Sequence, residues 1–265
     1  MRLQLLSDLH LETEAFDPVP APGADLLVLG GDIDATWAGL DRFADWPVPV
    51  LMVAGNHEFD GRELGDAWAG LRAACAERGI RLLEQEAWTT SAPDGRRVRF
   101  VGTVRWSDFD LFGAAGQARA MRAAAYFLRL MGATRGDQPV DPQVMREESL
   151  ACRAWLAGEL ARPSPGGPAG WDQTVVITHF GPSLRSADPR YGRQPGTASF
   201  CNADDDLLPL ADLWLHGHLH CRHDYRVERP GRAPTRVVCQ AMGLIAKGEA
   251  AGFDPLKLID LPEPT

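Results

Sequence analysis

The chain has 265 residues, 27 Lys+Arg against 36 Asp+Glu, a net charge of −9 and 45% hydrophobic residues. That length can bury a substantial core and the composition is that of a globular protein. The acidic balance disfavours nucleic acid as a partner, because phosphate binding needs a positive surface.

Leu3–Leu6 is a short apolar run broken by Asp8, with only Arg2 as a basic residue before it, so it reads as a strand and not as a signal peptide. After a Pro/Gly loop at Asp17–Gly23 comes a second such run, Leu26–Leu29; both have the continuous apolar character of strands covered on both faces. A helical stretch around Trp37–Ala44 precedes a strand at Val48–Val53. Glu63–Arg78 places Leu64, Ala67, Trp68, Leu71, Ala74 and Cys75 on one helical stripe, and Gly79 stands where a C-terminal cap prefers glycine. Ile80–Leu83, Ala87–Thr90 and Val98–Gly102 read as strands, the last two joined as a hairpin through Pro93-Asp94-Gly95.

From 111 to 162 the chain turns rich in Ala, Arg, Leu and Met, with helices expected at Gln117–Met131 and Pro142–Leu160. This insert reads either as structural cover or as a substrate-selecting cap. After a linker at Pro163–Gly170 come strands at Val175–Ile177 and Leu213–Leu215 and a β-rich stretch, Asp224–Leu261. The whole of 1–265 is expected to form a single domain carrying that insert. No run approaches the roughly 18 apolar residues of a membrane span. Cys75, Cys152, Cys201, Cys221 and Cys239 are an odd number without a Cys-x-x-Cys, which fits unpaired thiols and a cytoplasmic location.

Polar clusters follow the ends of five of these apolar runs: Asp8-Leu9-His10, Gly30-Gly31-Asp32, Gly55-Asn56-His57-Glu58, Thr178-His179 and His216-Gly217-His218-Leu219-His220. Ligands placed just past strand ends can converge although some lie far apart in the chain. Asp8, His10, Asp32, Asn56, His179, His218 and His220 supply carboxylate, imidazole and amide ligands suited to two divalent cations of Mn, Fe or Zn, with Asp32 shared. A water bridging two such cations would be acidified towards a pKa of about 7 and become a hydroxide nucleophile. His57 could then face the substrate as general acid. His216, on the opposite side of its strand end, reads as a core residue, and His223 as a solvated one. Arg190, Tyr191 and Arg193 lie in a Pro/Gly-rich loop that is either solvated or grips a substrate phosphate; Trp106 either lines the site or belongs to the core.

In this order, Asp8-x-His10, Gly31-Asp32, Gly55-Asn56-His57-Glu58, Thr178-His179 and Gly217-His218-x-His220 resemble the signature of the calcineurin-like metallophosphoesterase superfamily. The flanks Ser7–Glu12, Gly102–Phe109 and Phe253-Asp254-Pro255 are similar to a bacterial, mostly uncharacterised subgroup of it. The resemblance implies a four-layer α/β/β/α sandwich with two mixed sheets and a dimetal site at strand ends. It assigns Asp8, His10, Asp32 and His220 to one metal and Asp32, Asn56, His179 and His218 to the other. His57 would assist the leaving group while a metal-bridging hydroxide attacks a phosphate mono- or diester in line, with Asn56 among the groups stabilising phosphoryl charge. Family phosphatases that act on proteins support this histidine with a carboxylate three residues after the bridging Asp; here Ala35 stands there, and Asp34 and Glu58 are the nearest candidates. A small phosphate ester is the expected substrate. A nuclease, or a non-catalytic binding module on the same fold, are the alternatives.

Overall fold

The computed structural model describes residues 1–262. In chain order the strands are β1 (Arg2–Leu6), β2 (Leu26–Leu29), β3 (Val50–Met52), β4 (Ile80–Leu82), β5 (Glu86–Ser91), β6 (Arg97–Thr103), β7 (Thr134–Arg135), β8 (Gln138–Pro139), β9 (Gln173–Thr178), β10 (Leu213–His216), β11 (Arg222–Arg229), β12 (Arg232–Gln240) and β13 (Leu258–Asp260). The long helices are α1 (Leu64–Glu77), α2 (Ala114–Met131) and α3 (Pro142–Ala161).

Two large mixed sheets result. One runs β13-β1-β2-β3-β4, with β13 antiparallel on an otherwise parallel set. The other runs β11-β12-β10-β9-β6-β5, with antiparallel β11 and β5 flanking four parallel strands. Alternation along each strand sends side chains to two different layers. Leu26 and Val28 point with Leu3, Leu5, Leu51 and Val53 into a core shared with Val98, Phe100, Val175, Ile177, Leu213, Leu215 and Val238 of the facing sheet. Leu27 and Leu29 point the other way, against Leu64, Ala67, Leu71 and Cys75 of α1. On the far side Val101, Val176, Trp214 and Val237 meet Leu156 and Leu160 of α3. The strands read as unbroken apolar runs because both of their faces are covered. The result is the α/β/β/α sandwich.

Several elements depart from the expected limits. Residues 37–44 form a 3₁₀ helix, Ala38–Phe43, entered through Trp37 at φ 70°. β3 begins at Val50 rather than Val48, after Pro49, which has no N–H to give a ladder. The stretch between α2 and α3 folds as the small β7–β8 ribbon. The helix caps follow the sequence: the Glu63 side chain accepts from Asp66 N at the start of α1, Gly79 follows it at φ 69°, and Asp141 caps α3 ahead of Pro142.

The parallel pairing puts the ligand loops at one height. Leu6 pairs with Leu29 and Leu29 with Met52, so the loops carrying Asp8, Asp32 and Asn56 leave together. In the second sheet Ile177 pairs with Leu215, which brings out His179 beside the loop of His218 and His220.

Candidate metal centre

Two groups of three side chains converge at this end. Asp8, His10 and His220 form one, Asp32, His179 and His218 the other; within each group the ligand atoms lie within 4.8 Å of one another. Both groups draw on both sheets. The loops that carry them are sharply turned: Asp8 (φ 54°), His10 (46°), Asp32 (52°), His218 (71°) and His220 (48°) all occupy the left-handed region, a local strain that persists only where surroundings over-determine it. Close packing does so here. A Cβ on Gly31, itself at φ 89°, would lie 2.5 Å from Gly55 N and from His179 Nδ1. One on Gly217 would collide with Ser7 Oγ and the Asp8 carboxylate.

Hydrogen bonds then orient each imidazole. His179 Nδ1 lies 2.8 Å from Gly30 O, so that nitrogen donates and Nε2 is left with its lone pair. His220 Nδ1 is 2.6 Å from Glu249 Oε2, and His10 Nδ1 is 3.3 Å from Glu12 Oε1. Both remaining Nε2 atoms face each other at 3.0 Å. Lone pairs so placed repel unless a proton or a cation lies between them. His218 is turned the other way, with Nε2 3.1 Å from Ser199 O, leaving Nδ1 for a ligand, and its ring is held between Phe180 and Phe200 at centroid distances of 4.1 and 5.0 Å. Asn56 Oδ1 is buried without a hydrogen-bond partner, and His179 Nε2 has only Asp32 Oδ2 at 3.2 Å beside it, the condition expected of metal-directed atoms. The donor set and the orphaned Asn56 Oδ1 fit a pair of divalent cations.

Carboxylates brace the loops. Asp8 accepts His218 N at 2.9 and 3.1 Å, tying one sheet to the other. Glu58 accepts the N–H groups of Asp32 (3.0 Å), Ile33 (2.8 Å) and Gly55 (2.6 Å); burial, and then the charge of Asp32, push its carboxyl up to about 7. Burial opposes ionisation of Asp32, yet His179 and His57 hold it well below the usual carboxylate range. Burial likewise opposes the charged form of His179, but Asp32 raises it to about 9. Burial, with the charge of His179 beside it, leaves His218 well below the usual range.

His57 stands at the opening, its ring 5.0 Å from that of His10. Its backbone N–H donates to Asp32 Oδ1 at 2.8 Å, and its ring Nδ1 lies 2.7 Å from Asp60 Oδ2. Against burial, Asp32, Asp60 and Glu58 raise its pKa to about 10. The support for this ring is therefore Asp60, and not the expected Asp34 or Glu58. Asp34 holds its own turn, accepting Thr36 N (2.6 Å) and Gly39 N (2.9 Å), while Glu58 is occupied by backbone N–H groups. Glu249 and Ser199 also escaped the sequence reading. Asp60 was legible as a carboxylate one helical turn after His57; Glu249, 29 residues past His220, carried no local signal.

The substrate candidates separate. Trp106 is only 3% exposed, between Phe59 and Phe180 at centroid distances of 5.2 and 5.9 Å, and so belongs to the core and not to the site lining. Arg190 is half exposed at the rim, bound to Asp188 (2.8 Å) and 3.8 Å from Glu249. Arg193 is exposed. His216 is fully buried, 2.9 Å from Ser186 Oγ, and burial lowers it to about 3; it is a core residue. His223 is partly buried, its Nε2 3.1 Å from Cys221 Sγ.

A family model described as calcineurin-like phosphoesterase matches residues 1–222. The chain belongs to that family. No curated protein matches it. Among solved structures it is similar to a phosphopantetheinyl hydrolase from Mycobacterium tuberculosis, at 18% identity and TM-score 0.70, covering 99% of this chain and 96% of that one. A dimetal phosphatase from Danio rerio matches at 13% identity and TM-score 0.45, over 90% of this chain and 86% of that one. A 5'-nucleotidase precursor from Thermus thermophilus matches at 14% identity and TM-score 0.44, over 90% and 48%. The first of these likenesses shows a shared fold over essentially the full length of both chains. As a calcineurin-like phosphoesterase, the chain has hydrolase neighbours and two residue groups able to hold metal ions.

Proposed function

We propose that this calcineurin-like phosphoesterase is a cytoplasmic dimetal hydrolase of a small phosphate mono- or diester, folded as a single domain with the 111–162 insert. The observation that carries this reading is the convergence of ring nitrogens and carboxylates, His10 Nε2 facing His220 Nε2 at 3.0 Å and His179 Nε2 3.2 Å from Asp32 Oδ2. Asp8, His10 and His220 would hold one cation and Asp32, His179, His218 and Asn56 the other, with Asp32 shared. When bound, the cations supply Lewis-acid activation of water and neutralise phosphoryl charge; Mn, Fe and Zn all suit the donors. Asn56, beside them, stabilises charge on the phosphoryl oxygens. His57, cationic and held by Asp60, is placed to give its proton to the departing oxygen. Trp106 has no part in this. Arg190 and Arg193 remain at the rim as groups that can meet a phosphate. The acidic balance and the intact ligand set speak against a nuclease and against a non-catalytic module.

The test is turnover of p-nitrophenyl phosphate against bis-p-nitrophenyl phosphate with Mn added, whose ratio separates mono- from diesterase. A phosphodiester of a phosphopantetheinyl arm is the next substrate to try, given the full-length neighbour named for it. Asp32→Asn should abolish metal binding and turnover together. His57→Ala should slow turnover by roughly 10²–10⁴-fold with metal content unchanged. Full activity in the Asp32 variant would sink the assignment.

A further inference from the structure

The chain leaves the Asn56 loop through His57-Glu58-Phe59-Asp60-Gly61-Arg62-Glu63, of which His57–Phe59 form a single turn of 3₁₀ helix. The bonds of that segment to itself are few: Phe59 N to Asn56 O at 3.1 Å, Asp60 N to His57 O at 3.2 Å and Arg62 N to Phe59 O at 3.1 Å. One such turn does not hold itself, since its first hydrogen bonds do not offset the backbone entropy they fix. Asp60 holds the His57 ring through Oδ2, while its Oδ1 has no hydrogen-bond partner. The direction of the carboxylate is therefore set by the main chain that carries it.

Two devices outside the turn hold that main chain. The first is Arg62. Its Nη1 donates to Asp60 O at 3.1 Å and lies 3.4 Å from Glu58 O, and its guanidinium carbon stands 4.3 Å from the centre of the Trp37 ring. Trp37 Nε1 donates to the same Glu58 O at 3.0 Å, which closes the set. The second device is the 111–162 insert. Between α2 and β7, Met131 O accepts from Gly61 N at 2.8 Å and Thr134 N donates to Arg62 O at 2.9 Å. A parallel bridge joins Glu63 to Thr134, and Gly136 N donates to Glu63 Oε1 at 3.0 Å. Gly61 (φ 68°) and Gly132 (φ 65°) supply the left-handed bends at this junction.

We infer that Arg62 is a positioning residue for His57, acting through Asp60, with the α2–β7 turn of the insert as the anchor it works against. The inference rests on the phosphoesterase reading above and gives the insert a part in the reaction that is neither cover nor cap. A general acid contributes only while its proton lies on the path of the departing oxygen, and a misplacement of about 1 Å costs up to about 10²-fold. Without the Arg62 fork the Asp60 peptide is free to turn, and the carboxylate and the His57 ring turn with it.

The experiment uses the Mn-loaded full chain and two aryl esters of whichever type, mono- or diester, it prefers: one releasing p-nitrophenol, the other phenol. Arg62→Met should lower kcat on the phenyl ester about ten-fold or more and on the p-nitrophenyl ester less than about two-fold, with KM and metal content unchanged. Arg62→Lys, which restores a cation over Trp37 and a donor for Asp60 O, should recover most of the loss. Thr134→Pro, which removes the N–H given to Arg62 O, should reproduce the leaving-group-selective loss. If that variant does not fold, Gly132→Ala, which strains the same turn, takes its place. Arg62→Met should add little to Asp60→Asn, because both act on one ring. In the metal-free chain, amide exchange over 57–62 should quicken in Arg62→Met and not in Arg62→Lys. An equal loss on both esters, a loss in KM, a Lys variant no better than Met, additive effects with Asp60→Asn, or unchanged exchange would each overturn the proposal. So would a leaving-group-selective loss confined to Arg62 and absent from the variants of the turn. Wild type that cleaves neither ester would overturn the phosphoesterase reading itself, whereas an active wild type with unaffected variants overturns this proposal alone.

Discussion

Asp60 does for His57 what Glu249 does for His220 and Glu12 for His10: each carboxylate takes an Nδ1 and turns the opposite nitrogen towards the reaction space. The consequences differ with the job of the ring. Asp60→Asn should leave metal content unchanged and slow esters of poor leaving groups far more than p-nitrophenyl esters, whose departing oxygen needs little help from an acid. A uniform loss across leaving groups would argue that Asp60 only supports the loop. Glu249→Ala should weaken one metal by about 10–100-fold, the usual effect of deleting a carboxylate behind a ligating histidine. Titration of the metal-free protein, read by calorimetry, would show one binding step displaced and the other intact. The ligands were legible because each sits within a short motif at a strand end, and Asp, His and Asn in that pattern have few other reasons to cluster. Their braces were not, since Glu249 meets His220 only through the folding of β11 and β12. Trp106 could not be placed either: its neighbour Arg105 is at φ 53°, and one left-handed residue decides which way the next side chain turns.

At the level of elements, the insert divides into two parts with different partners. α3 is the outer layer of the second sheet, through Leu156 and Leu160, whereas α2 packs beside the metal centre and leaves one side to solvent. Amphipathic periodicity could find both helices but not say which covered a sheet, because each has an apolar stripe and only tertiary contact selects its target. α3 is locked to the strand ends by Arg105. That fully buried guanidinium donates to both carboxylate oxygens of Asp204 (2.9 and 2.8 Å) and to Asp108 (2.7 Å), and to Ser149 of α3. Arg105→Met would leave the buried Asp204 carboxylate with only Arg153, 3.2 Å away, at a cost of about 3–5 kcal/mol in chemical denaturation. Adding Asp204→Leu should recover much of the loss. If the double variant is no more stable than the single, the network contributes more than charge pairing.

Across the whole molecule, Glu84 ties the exit of β4 in one sheet to the exit of β6 in the other, accepting from Val104 N at 2.7 Å and Thr103 Oγ1 at 3.1 Å. Burial pushes its carboxyl up to about 7, against about 4.3 in an unfolded chain. Its folded pKa is the higher one, so the stability it contributes is complete below the unfolded value and lost as pH rises through about 7. Glu84→Gln should therefore cost less stability at pH 8 than at pH 5, as thermal unfolding would show; an equal cost at both would mean that the carboxyl ionises normally. The same end of the sandwich carries the two cation groups, and Asp8 and His10 come from one sheet while His220 comes from the other. A cation there is a clasp between two layers whose shared interior is apolar. Adding metal should then slow amide exchange at Ala54–His57 and His216–Leu219 well beyond any change at Gln173, at the opposite end of β9, and chelation should unbuckle the sandwich from that end first.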